Sequence, residues 1–144
     1  MNPIAKRYVN YDIEKLLSDY RLLLVTKENL EDQLAEISEL TAMNYDGISA
    51  ATNTVSNPTS RIAQQKIELE SRINVHAELL NALDRAIESL ESDEREVIVQ
   101  IYLSDNKNTE KAIQKLERSL YKGRTTIFSI KKQALDKIRY QLFD

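Results

Sequence analysis

Cysteine and tryptophan are absent from the 144 residues, and glycine, proline and histidine are scarce, with two, two and one occurrences. Without cysteine there is neither a disulfide framework nor a thiolate metal site, as expected of a protein in a reducing cytosol. His76 has no second histidine with which to share a metal. It reads as a helix-seam or surface residue, not a ligand or general base. Two glycines leave no glycine-rich phosphate loop, and there is no nucleophile elbow and no helix with metal-spaced histidines. No catalytic residue, metal site or cofactor is therefore expected, and the chain does not read as an enzyme. Long hydrophobic runs are missing too. None approaches the roughly 20 apolar residues that cross a bilayer, and Met1 to Arg7 lack the apolar stretch of a secretory signal. No membrane association is expected, and the expected compartment is the cytoplasm.

What the sequence has in plenty is charge. Asp, Glu, Lys and Arg make up 30% of it, and with so little glycine and proline this favours long helices over sheet or disorder. The expected fold class is all-α, a long antiparallel coiled-coil hairpin over residues 1–91 followed by a small helix-turn-helix bundle over 92–144.

Pro3 is unsuited to a helix interior, so the first helix is expected at or after Tyr8 or Asn10. From there Ile13, Leu16, Tyr20, Leu23, Leu30, Leu34 and Ile37 recur at alternating three- and four-residue spacings, with Lys27 in the one remaining seam position. The turn signals Asp46-Gly47 and Asn57-Pro58 predict a loop over about 44–59. Thr59 or Ser60 is then expected to cap a second helix with the seam Ile62, Lys66, Leu69, Ile73, His76, Leu80, Leu83, Ile87 and Leu90. Folding about a loop centred near Ala51 sets Lys27 level with His76, a polar pair that would fix register if the two met. Tyr8, Tyr11, Leu17, Leu24 and Leu79 fall partly outside this seam. They leave apolar area for the C-terminal module or for a second chain in a homodimer.

Charge is divided unevenly along the chain. Residues 107–140 hold ten basic side chains against Glu110, Glu117 and Asp136, a net +7, whereas residues 1–106 carry a net −9. Such a field steers the basic end towards a polyanion. Ser92 is expected to cap a short helix whose first turn contains Asp93, Glu94 and Glu96, where acids favour the helix dipole. Val97, Ile98, Ile101 and Tyr102 would face inward, and Asn108 or Thr109 would cap the next helix.

Ile113, Leu116 and Leu120, then Ile127, Ile130, Ala134 and Ile138, give helical spacing on both sides of Tyr121-Lys122-Gly123. Gly123 is placed to supply the positive φ that ends the first of these helices. In the second, steps of about 100° per residue turn Thr125, Ser129, Lys132 and Gln133 away from the apolar arc. A helix with a small, polar and cationic outer face fits the major groove, flanked by cations that engage phosphates. The groove would be read by Thr125, Ser129, Lys132 and Gln133, while Lys122, Arg124 and Lys131 would position the module on phosphates. Phe128, beside the core arc, reads as packing in preference to a thymine-methyl contact.

Gly123-Arg-Thr-Thr-Ile-Phe-Ser-Ile-Lys-Lys-Gln-Ala-Leu-Asp-Lys-Ile-Arg139 resembles the end of sigma factor region four, S-R-x-T-V-x-x-x-x-x-x-A-L-x-K-L-R. Ala86 to Tyr102 is similar to the opening of the same module, L-x-x-x-E-R-x-V-I-x-x-x-Y, so the resemblance covers roughly residues 86 to 142. The chain departs from the pattern at Gly123, where the family usually has a serine cap, and over the polar stretch 103–111. In layout the whole chain resembles small bacteriophage late-gene activators of the RinA and ArpU type. That resemblance implies a sigma-like transcriptional regulator bound to double-stranded phage promoter DNA and in contact with host RNA polymerase. The hairpin's role stays open between dimerisation, an acidic face for polymerase and a brace for the DNA-binding module. Two other readings suit the same layout. One is a DNA-packaging component resembling a small terminase subunit, and the other a coiled-coil adaptor that does not bind DNA.

Overall fold

A computed structural model describes residues 2–8, 13–47, 58–105 and 108–143. These form helices and no strand: α1 (Pro3–Lys6), α2 (Ile13–Ser18), α3 (Tyr20–Gly47), α4 (Pro58–Glu88), α5 (Ser92–Ile98), a π-helical segment (Val99–Leu103), α6 (Thr109–Leu120) and α7 (Arg124–Phe143). The all-α expectation holds.

The helices begin where the chain can satisfy their free N–H groups. Contrary to the expectation of a later start, α1 opens directly at Pro3, because proline at the first helical position forfeits only a donor that has no partner anyway. Asn2 Oδ1 accepts from the N–H groups of Ile4 at 2.9 Å and Ala5 at 3.4 Å, and Asn2 Nδ2 donates to the Val75 carbonyl at 2.9 Å. One side chain thus caps α1 and ties it to α4. Pro58 likewise begins α4, ahead of the expected Thr59 or Ser60. α3 continues through Asn44 to Gly47, so the expected loop starts later than the turn signal implied, and residues 48–57 lie outside the described ones. At α5 the cap is Glu91 instead of Ser92, since the Glu91 N–H donates to Glu94 Oε1 at 3.1 Å and closes a reciprocal box.

α3 and α4 pack antiparallel. Tyr20 Oη donates to Asp84 Oδ1 at 2.7 Å near one end, and Gln33 and Ile37 share a groove with Gln65, Leu69 and Arg72 further along. This register brings Lys27 to within about one helical turn of the level of His76. Each polar group finds a partner in its own helix, Lys27 Nζ at 3.3 Å from Glu31 and His76 Nδ1 at 2.9 Å from the Arg72 carbonyl.

The larger core collects Leu16 and Leu17 from α2, Leu79, Leu83 and Ala86 from α4, Leu90 from the turn after it, Ile98 from α5, and Ala134 and Ile138 from α7. It draws on both sides of residue 91. Leu17 and Leu79, left over by the two-helix seam, are buried in it, Tyr8 and Leu24 pack against it, and Tyr11 lies outside the described residues. A smaller core joins Val97 of α5, Leu116 of α6 and Ile127 of α7. At the α4–α5 corner Arg95 donates to the carbonyls of Glu88 at 2.7 Å and Leu90 at 3.1 Å, satisfying acceptors that the end of a helix leaves open.

Two tyrosines fasten α2 and α3. Tyr8 Oη donates to Asp19 at 2.8 Å, at the junction where Asp19 N–H still reaches Lys15 O at 3.0 Å, and Tyr20 holds Asp84. Both phenols are pushed up from 10.0 to about 12, first by burial and then by these hydrogen bonds. The folded chain therefore retains protons that the unfolded chain releases. The stabilisation is complete below about pH 10 and is lost as pH rises through about 12. Urea denaturation across this range is expected to show a smaller alkaline loss in the double variant Tyr8→Phe, Tyr20→Phe than in the parent chain.

Candidate nucleic-acid interface

α6 starts from Asn108, whose Oδ1 accepts from the N–H groups of Glu110 at 3.1 Å and Lys111 at 3.4 Å, as the sequence predicts. It buries Ala112, Ile113 and Leu116 and leaves Lys111, Lys115 and Arg118 exposed. Its end differs from expectation. The left-handed residue is Tyr121, at φ 54° and ψ 41°, and Gly123 has no positive φ. Gly123 instead precedes α7 and accepts from the Ile127 N–H at 3.1 Å, which is where the resemblance places a serine cap.

α7 buries Ile127, Ala134 and Ile138 fully, with Ile130 and Leu135 half-buried beside them. Thr125, Ser129, Lys132 and Gln133 all lie on the opposite, exposed face. Lys132 makes no ion pair with the described residues. Towards the C-terminal end Asp136 and Arg139 join this face.

The three expected phosphate contacts are held by carboxylates of the same chain. Lys122 Nζ lies 2.9 Å from Asp93 Oδ2. The Arg124 guanidinium grips Glu110 with both terminal nitrogens, one of them 2.9 Å from Oε2. This hydrogen-bonded contact lowers the Glu110 carboxyl below its ordinary range and raises the guanidinium. Both pairs stand at the N-terminal edge of the exposed face. Lys131 is elsewhere. It lies on the inner flank of α7, half-buried, with Nζ 2.8 Å from Glu14 Oε1, which also accepts from Tyr102 Oη at 2.5 Å. Phe128, 39% exposed, has the Arg124 guanidinium at 5.4 Å and the Lys131 ammonium at 5.6 Å from its ring centre.

Sequence reasoning missed Asp93, Glu110 and Glu14 as partners of the basic residues. Partners 29, 14 and 117 positions away leave no periodic signal. It also gave no role to Tyr121, whose side chain is 93% exposed. Among the described residues no His, Cys, Asp and Glu cluster could hold a metal ion, and no helix is long and apolar enough to cross a membrane. No protein-family model matches the chain, and neither do curated proteins or solved structures.

A Cβ at Gly123 would meet no atom within 4 Å, and the position precedes the first turn of α7. Gly123→Ser is expected to stabilise the fold by about 0.5–1 kcal/mol, through a capping hydroxyl and a less flexible unfolded chain. A rise in the urea midpoint at unchanged m-value would register it.

Proposed function

We propose that this chain is a sequence-specific DNA-binding transcriptional regulator that reads the major groove with α7. The observation that carries the reading is the face made by Thr125, Ser129, Lys132 and Gln133, exposed together on a 20-residue helix whose opposite face is buried. Short polar and cationic side chains projecting from a rigid helix suit hydrogen bonding to base edges. The surrounding 107–140 region carries a net +7, which suits a phosphate backbone. The N-terminal half, where these four side chains gather next to Lys122 and Arg124, enters the groove. On α3 the exposed Glu28, Glu31, Asp32, Glu36 and Glu39, with no basic residue between 28 and 40, keep the hairpin away from DNA. That acidic edge is then free for a protein partner with a basic surface, which suits host RNA polymerase and the role of a phage late-gene activator.

Binding in this mode requires Lys122 and Arg124 to exchange Asp93 and Glu110 for phosphates. The exchange is inexpensive, because solvent screens these surface pairs and holding two long side chains in one geometry costs entropy. Once its arginine leaves, Glu110 repels the backbone and recruits a cation, which offsets part of the counterion release.

Fluorescence anisotropy against random duplex and a pool of phage late promoters, at 50 and 200 mM salt, tests the reading. Selective binding that weakens by orders of magnitude at the higher salt is expected, and no binding at 50 mM would overturn it. Lys132→Ala is expected to weaken selective binding about tenfold. If Lys132→Ala and Ser129→Ala leave affinity and preference unchanged, α7 is not the reading helix. Glu110→Gln is expected to tighten binding and to steepen the logarithmic salt slope by about 0.9.

A further inference from the structure

Tyr121 combines two properties that the fold does not explain together. Its backbone lies in the left-handed region at φ 54°, and its side chain is 93% exposed. Bulky residues adopt that region at a cost that glycine and asparagine largely escape. Such a cost is normally offset by packing or hydrogen bonding of the side chain. The Tyr121 ring packs against almost nothing, and its hydroxyl has no partner among the described residues. The glycine that could relieve the turn stands two positions on, without a positive φ. Strain that the surrounding structure imposes without local return gathers at functional sites.

The surroundings of Tyr121 indicate which function. It follows α6, with its exposed Lys115 and Arg118, and directly precedes Lys122 and Arg124 at the cationic edge of the α7 face. A helix that enters the major groove by its N-terminal half brings the turn before it against one strand's backbone. A phenol is suited to that place. Its hydroxyl donates to a phosphate oxygen and its ring covers the adjoining sugar, without the repulsion a carboxylate would meet.

We infer that Tyr121 is a DNA-contacting residue, held in a strained turn so that its phenol reaches the backbone beside α7. The inference rests on α7 being the recognition helix. It deepens that reading by adding an uncharged contact whose energy does not come from counterion release.

The test compares Tyr121→Gly and Tyr121→Phe with the parent chain in thermal unfolding and in duplex binding at several salt concentrations. For Tyr121→Gly, relief of strain opposes the added freedom of the unfolded chain, so Tm is expected to be unchanged or up to about 4 °C higher. Affinity is expected to fall about three- to tenfold with the salt slope unchanged, because no charge is lost. Tyr121→Phe should lose the hydroxyl's share and keep the ring's. Tyr121→Asn, which tolerates the left-handed region, gives the same comparison if the glycine variant folds poorly. Parent-level affinity in Tyr121→Gly and Tyr121→Asn would overturn the inference, as would a fall in affinity that merely follows a fall in Tm. A parent chain that binds no duplex would overturn the recognition-helix reading and this inference together, whereas a binding parent with unaffected variants would overturn this inference alone.

Discussion

The seating of α7 is the constraint on which the rest depends. Its N-terminal half puts Ile127 into the smaller core with Val97 and Leu116, and its C-terminal half puts Ala134 and Ile138 into the larger core with α2 and α4. α5 divides itself the same way, through the adjacent Val97 and Ile98. Burying a side chain of this size contributes about 1.5–3 kcal/mol, several times what an exposed ion pair adds. Rotation of α7 about its axis is therefore decided by packing. The exposed face is what the two cores leave over, and its four polar side chains owe their common direction to residues on the far side of the helix.

The ion pairs around this frame have a different character. Arg124–Glu110, Lys122–Asp93 and Lys131–Glu14 join α7 and its preceding turn to three separate elements. The first lies in solvent and the second is partly exposed, so their geometry can be surrendered cheaply, and both belong to cations at the edge of the proposed interface. The third is half-buried and shares its carboxylate with Tyr102. It braces α2 against α7 and the π-helical segment, and Lys131 takes part in that brace.

Much of this was legible in the sequence, because long helices write their seams in a simple period. Leu16, Leu23, Leu30, Leu69, Leu80, Leu83 and Leu90 were all expected in the seam and are all buried. The inner face of α7 and the Asn108 cap could be read for the same reason, since both depend on neighbours within one turn. The errors fall where one local rule competes with another. Pro3 ends a helix from the inside but starts one from the edge, and Ser92 gave way to Glu91 because Glu94 can return the cap. Glycine is the better left-handed residue, yet the register of α6 puts that conformation at Tyr121, two positions too early for Gly123 to serve. The sharing of one core across residue 91 and the pairing of distant charges had no local signature.

Asn2 shows how segments far apart in sequence are drawn together. Its side chain closes α1 with one atom and holds the Val75 carbonyl with another, and α1 buries Ile4 and Ala5 in the core that also receives Ala134 and Ile138. The first few residues of the chain and the last helix are thus neighbours in one apolar interior. A ribosome releasing this chain would have displayed the α3–α4 hairpin well before α7 emerged, yet part of the surface on which that hairpin rests is supplied only by α7. Until α7 has emerged, Leu17, Leu79 and Leu83 lack their last covering layer, so the larger core closes only after every other described helix has been made.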